Sequence, residues 1–331
     1  MKDFQNHIDA VNDPRAQQKL AKYYEDNPSI TASIKNAEVM PWVREIEERL
    51  VRTQNSDFLD SAWFAANKSK LLSDVNEILQ KLCFEVELIK KNKLYYSAIY
   101  SLSGPATKGI ALYQSDALDV SLIVVSKTEL QLEKKARKGV RGITILENTM
   151  HMFTVKGSGT MEKYCLDEPI DNDQSVPDMF QGRKQEFQYR PGDLISIHGG
   201  YDGLTYKSCE INSLFLCVTP KVNSRIVRPQ YDVDSGKLLA CIASDSLAPR
   251  IQMVTILLRE FGVTNSAEII KPLLEHKNPY VRWHVARELY FTDKEGAREV
   301  FEMLANDKSP VLREGAQECL KEIYGEETCH M

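Results

Sequence analysis

Residues 189–206 read YRPGDLISIHGGYDGLTY, and the middle of the chain turns on how that stretch is read. Pro191-Gly192-Asp193 is turn chemistry: proline presets φ and glycine accepts conformations other residues avoid. LISI then reads as a short strand. With a side-chain period of two, Ile195 and Ile197 share one face, while Leu194, Ser196 and His198 share the other. His198 ends the strand and runs into Gly199-Gly200. The question is whether that histidine is a ligand at the mouth of a β-structure or a turn residue.

The surroundings are of the same kind. Between residues 94 and 245 short apolar or alternating runs recur: LYYSAIYSL, GIALY, LDVSLIVV, GITIL, MHMFTV, EKYCL and INSLFLCV, separated by Gly, Pro, Asp and Asn. That spacing predicts an antiparallel sandwich or barrel. Residues 167–184, DEPIDNDQSVPDMFQGRK, predict a long exposed loop. KGSGT, 156–160, lacks the spacing of a phosphate-binding loop and predicts a hairpin turn.

The flanks are helical. Pro41 suits the first position of a helix carrying Val43, Ile46 and Leu50, and Ser73 suits the N-cap of a second carrying Val75, Ile78, Leu79, Leu82 and Val86. KKNK, 90–93, marks an exposed boundary. Beyond residue 246, PYVRWHVAREL (279–289) and PVLREGAQECL (310–320) superpose at an interval of 31 residues. Pro279 falls on Pro310, Val281 on Leu312, Arg282 on Arg313, Val285 on Ala316 and Leu289 on Leu320. AEIIKPLLEH and AREVFEMLAND precede them as first helices, and PRIQMVTILLREF predicts one more helix closed by Gly262. A period near 30 with two helices per unit predicts an α-solenoid.

Two resemblances follow. The C-terminal pair resembles HEAT repeats, whose second helix opens with proline and then an apolar-arginine pair. That implies a protein-interaction surface. The centre resembles the cupin superfamily: TVKGSGTMEKY (154–164) looks like its first motif and PGDLISIHGGYDGLTY like its second. The resemblance implies a small β-barrel, with metal bound by His-x-His, Glu and a further His. Those positions fall here on Thr144, Leu146, Met150 and Gly203, and His198 takes the place of the turn proline. The usual ligands are therefore absent from the motif positions. Glu147 and His151 share a strand face, however, and with His198 they make a workable divalent set, such as for Fe(II). If Ile195 and Ile197 fill the barrel, His198 faces outward. Cupin barrels often pair through strands, so the resemblance also implies a homodimer.

Other candidate sites are weighed the same way. Lys134, Lys135, Arg137, Lys138 and Arg141 concentrate positive charge for an anion or acidic partner, or form a solvated loop. Arg282 and Arg313 are read as ties between repeats. Trp283 and Arg287 lie away from the buried stripe and suit a partner contact; Trp283 packed against the β region is the alternative. No catalytic set can be named. The net charge of −5 disfavours nucleic acid, and seven scattered cysteines without a CxxC pair read as reduced thiols of a cytoplasmic protein. No apolar run is long enough to span a bilayer.

The sequence thus predicts a multidomain α+β chain: N-terminal helices over 1–92, an antiparallel cupin-like β-barrel over 93–245 and HEAT-like helix pairs over 246–326. The leading expectation is a non-enzymatic binding or regulatory protein with no cofactor. The barrel would offer a pocket for a small molecule or peptide, or serve as a scaffold, and the repeats would offer a surface for a protein partner. A metal-dependent oxygenase or isomerase using Glu147, His151 and His198 is the runner-up.

Overall fold

The structure, a computed structural model, describes residues 13–26, 30–35, 38–91, 99–104, 106–136, 141–170, 176–222, 224–244 and 247–325. The first helices are α1 (Pro14–Asp26), α2 (Ile30–Lys35), α3 (Trp42–Thr53) and α4 (Ser61–Lys91). As the spacing predicts, Pro41 directly precedes α3, which buries Val43, Ile46 and Leu50. The helix expected to start at Ser73 instead begins at Ser61, where the Asp60 carboxylate accepts from the Trp63 N–H at 2.8 Å and caps it. Phe64, Leu71, Val75 and Ile78 keep one apolar stripe across Ser73, so the helix runs through that residue.

Twelve strands follow: β1 (Tyr100–Ser103), β2 (Thr107–Gln114), β3 (Leu118–Val125), β4 (Gly142–Thr144), β5 (Met150–Lys156), β6 (Gly159–Leu166), β7 (Gly182–Tyr189), β8 (Leu194–Ile197), β9 (Asp202–Cys209), β10 (Ser213–Pro220), β11 (Val227–Asp232) and β12 (Leu238–Ala243). Helix α5 (Lys127–Ala136) lies between β3 and β4. The strands form a six-stranded sheet in the order β1-β2-β3-β10-β5-β8 and two three-stranded sheets, β7-β6-β9 and β12-β11-β4. The pairings are antiparallel.

Two compact units emerge, and they interleave rather than follow the three expected segments. The first holds residues 1–139, 148–165 and 184–224; the second holds 140–147, 166–183 and 225–331. In the first, the N-terminal helices and the six-stranded sheet share one apolar core. Trp42, Ile46, Leu71 and Val75 pack with Leu118, Val120, Phe153 and Leu216. The 92/93 boundary therefore separates no core, and the residues around it, 92–98, lie outside the described residues.

KGSGT does not make the expected hairpin. β5 and β6 belong to different sheets, and Gly157, at φ +98°, turns the chain from one layer to the other. The Arg190–Asp193 turn does the same between β7 and β8. Tyr189 of β7 and Tyr206 of β9 place their rings 5.3 and 6.2 Å from Phe215 of β10, so the two sheets of this unit face each other. Met152, Ile195 and Cys217 share the face of Phe215 by register, whereas His151 and Phe153 take the opposite face.

In the second unit β4, β11 and β12 precede a helical stack: α6 (Leu247–Glu260), α7 (Ser266–Ile270), a 3-10 turn (Lys271–Glu275), α8 (Pro279–Thr292), α9 (Ala297–Leu304) and α10 (Pro310–Tyr324). Val281, Val285, Leu289, Leu312, Ala316 and Leu320 are all buried, so the repeat alignment holds in the core. The 167–184 loop is tied down where described: Ile170 is buried, Phe180 packs on Tyr231 with ring centroids 5.8 Å apart, and β7 begins at Gly182. No described helix is long and apolar enough to cross a membrane.

Candidate functional site

His198 is exposed, and its part in the turn is played by its backbone. Its N–H donates to Asp202 Oδ2 at 2.8 Å, and the Asp202 N–H returns a bond to the His198 carbonyl at 2.9 Å. Asp202 is buried, and Lys163 Nζ meets the same carboxylate oxygen at 2.7 Å and the Ser196 carbonyl at 3.2 Å. Lys163 and Asp202 organise this region and were missed from sequence. The only signal was an aspartate four residues after the histidine.

His151 sits on β5 facing α4. Phe64 places its ring 5.6 Å away, and Nδ1 lies 3.0 Å from Ser196 Oγ. Nε2 is buried without a hydrogen-bond partner among the described residues. Burial, then the neighbouring His198, pushes the imidazole down from 6.5 to about 4, so it is neutral at pH 7. Glu147 belongs to the second unit, where its carboxylate lies 3.6 Å from Arg228 Nε. Among the described residues no group of three or more His, Cys, Asp or Glu side chains stands close enough to hold a metal ion. The Glu147, His151 and His198 set is not brought together as such a group. By register His151 points away from the face that Met152, Ile195 and Cys217 share with Phe215, and Glu147 precedes β5.

A cavity of about 950 Å³ opens in the first unit. Helix α4 lines it with Ser61, Phe64, Ala65 and Lys68, four positions on one helical face. Residues 185–188 of β7 and 192–196 of the turn and β8 line the opposite walls, with Phe153 and Lys163 between. β7 and β8 are each the edge of their sheet. Lys68 lies over the turn: a Cβ on Gly192, at φ +90°, would sit 2.6 Å from Lys68 Cε.

The basic run is dispersed. Lys134 Nζ bonds the Lys207 carbonyl, and Lys135 lies in the last turn of α5. Arg141 grips Asp234 through Nη2 at 2.5 Å and Nε at 3.3 Å. Arg137 and Lys138 lie outside the described residues.

The repeat arginines act as ties. Arg282 donates to the carbonyls of His276 (2.7 Å) and Lys277 (3.2 Å), and Arg313 donates to those of Asp307 (2.7 Å) and Lys308 (3.0 Å). Arg282 also grips Asp307 at 2.6 and 3.0 Å, joining one repeat to the next. Burial works to raise the Asp307 carboxyl, but the Arg282 guanidinium, with the Ser309 N–H, outweighs it and holds the group below its ordinary value. Trp283 is half-buried against the repeat core: its ring is 6.0 Å from Phe301, and a Cβ on Gly315 would lie 3.3 Å from it. The face expected to point outward is thus partly taken up by contacts with α9 and α10, and the rest of the Trp283 ring stays accessible. Arg287 is exposed.

The exposed apolar surface lies elsewhere in the second unit. Helix α6 buries Ala248 and Thr255 but exposes Met253, Val254 and Leu257, and Phe261 just beyond it is 79% exposed. Successive positions 253, 254, 257 and 261 form one stripe on the helix. β12, LLACIA, is an edge strand whose Leu239 and Ile242 are exposed.

Residues 236–321 match the family of HEAT repeats. No curated protein matches the chain in sequence. Among solved structures, the chain is similar to a polyketide cyclase, RemF, from Streptomyces resistomycificus (17% identity, 43% of this chain and 84% of that one, TM-score 0.25). It is also similar to an RmlC-like cupin from Shewanella frigidimarina (11% identity, 38% and 87%, TM-score 0.23). A third likeness is to oxalate decarboxylase from Bacillus subtilis (16% identity, 52% and 37%, TM-score 0.26).

Proposed function

We propose that this chain is a binding protein and that its protein-contacting surface is the outer face of α6 together with edge strand β12. The observation that carries the reading is the stripe Met253, Val254, Leu257 and Phe261 on the first helix of the repeat stack. A helix that ends such a stack needs a polar outer face, because nothing further covers it. Here that face is apolar, which marks an interaction surface. β12 adds to the case. Its start is covered, the Leu238 N–H donating to the Asp178 carbonyl at 2.8 Å, but beyond that residue LLACIA carries neither the charge nor the proline with which monomeric proteins blunt edge strands. The HEAT-repeat match over the same residues agrees with this use.

The test is the double substitution Leu257→Glu/Phe261→Glu, followed by light scattering and affinity capture. The wild-type chain is expected to associate, with itself or with another protein. The double variant is expected to lose that association at an unchanged Tm. Association that survives the two charges, or none in the wild type, would contradict the reading.

A further inference from the structure

The cavity of the first unit has a feature that its volume does not convey: its walls are two open strand edges. β7 and β8 are consecutive in sequence and joined by the tight 190–193 turn, yet they enter different sheets and part from each other. The phase of the β5–β8 ladder shows which backbone groups are free. Thr154 N donates to the Asp193 carbonyl at 2.9 Å. Registers alternate by two, so Ile195 and Ile197 exchange bonds with Met152 and Met150. Leu194 and Ser196 therefore turn their N–H and C=O groups away from β5, towards the cavity. Lys163 Nζ confirms the direction, since it reaches the outward Ser196 carbonyl at 3.2 Å. Among the described residues the Leu194 N–H, Leu194 C=O and Ser196 N–H meet no backbone partner, and buried or half-buried backbone groups of this kind seek one.

The charge around that edge is uneven. Glu186 is paired with Lys207 at 2.5 Å, and Lys163 is paired with Asp202. Asp193 Oδ2 accepts from the Arg190 N–H at 2.8 Å. Lys68 alone among the charged cavity residues has neither an ion-pair nor a hydrogen-bond partner among the described residues, and it sits over the turn at the end of the open edge. Phe64, Phe153 and Phe187 supply apolar walls beside it.

We propose that this cavity takes an extended peptide with acidic side chains, added as a strand to the open edge of β8, with a carboxylate on Lys68. Main-chain bonds to residues 194–196 give the affinity and Lys68 selects charge, as in other strand-addition sites. The proposal concerns the first unit and is independent of the apolar face of α6.

The probe is a fluorescein-labelled peptide of alternating valine and glutamate, seven residues long, read by anisotropy with the full chain. Three controls accompany it: the lysine counterpart, an N-methylated copy that cannot pair through its backbone, and the Lys68→Glu variant. The acidic peptide is expected to bind. The lysine and N-methylated peptides, and the acidic peptide on Lys68→Glu, are each expected to bind about tenfold or more weakly, a difference of about 1.4 kcal/mol. Lys68→Ala, which introduces no repulsion, is expected to fall between the wild type and Lys68→Glu. Equal binding of the two charge types, undiminished binding of the N-methylated copy, or no binding of the acidic peptide at millimolar concentration would each overturn the proposal.

Discussion

His151 is held neutral by burial against Phe64 and Phe153, and that has a measurable consequence. Its folded-state value near 4 lies below the ordinary 6.5, so the unfolded chain binds a proton that the fold refuses. The resulting stability is fully present above pH 6.5 and is lost as pH falls through 4, about 3 kcal/mol in all. Denaturation followed by tryptophan fluorescence at Trp42 and Trp63 should show this slope for the wild type. His151→Phe should flatten it; a slope unchanged in that variant would refute the assignment. Gly157 is the other residue on which the first unit turns. With φ +98° and a would-be Cβ within 2.5 Å of Ser213 Cα, Gly157→Ala should destabilise by about 2 kcal/mol or more in urea unfolding. A near-neutral Gly157→Ala would mean that the corner between the two sheets relaxes freely.

At the scale of elements, the repeat helices were the most legible part. Proline opens both helices, and the arginine after the apolar residue makes the same contacts in both copies. The two arginines bond carbonyls at the same offsets, six and five residues back. Arg282 differs from Arg313 by its grip on Asp307. Arg282→Ala should therefore destabilise by about 3 kcal/mol, because it strands a partly buried carboxylate. Arg313→Ala should cost only about 1 kcal/mol, the scale of a lost hydrogen bond. Chemical denaturation of the two variants side by side gives the comparison, and equal losses would contradict it. Asp307 is held below its ordinary 3.8, so the part of this stability that it carries is present above pH 3.8 and fades as pH falls further. Helix α4 was legible in type but not in length, since Ser73 looks like a cap and only the stripe running through it shows otherwise. Residue types alone do not reveal that Gly315, 32 positions later, leaves room for part of the Trp283 ring.

At the scale of the whole molecule, strand content between residues 94 and 245 was legible from period-two runs, while sheet membership was not. β5 and β6 look like a hairpin in sequence, and β7 and β8 are joined by the tight Pro-Gly-Asp turn. Both pairs instead split between sheets, because tight turns fix chain reversal without fixing which neighbour a strand joins. Face parity likewise holds along one strand and not into the residues before it: His151 is on β5, whereas Glu147 precedes that strand. The exposed stripe of α6 was present in the sequence as an apolar helix. Only burial shows that its second apolar face is left uncovered.

The account rests most on that face, and hydrogen–deuterium exchange tests it most directly. The full chain would be compared free and in its captured complex, or dilute and concentrated if it self-associates. Protection gained over β12 and over 250–261, with the segment 279–289 unchanged, is the predicted result. Protection centred on Arg287, or none in the second unit, would contradict the account.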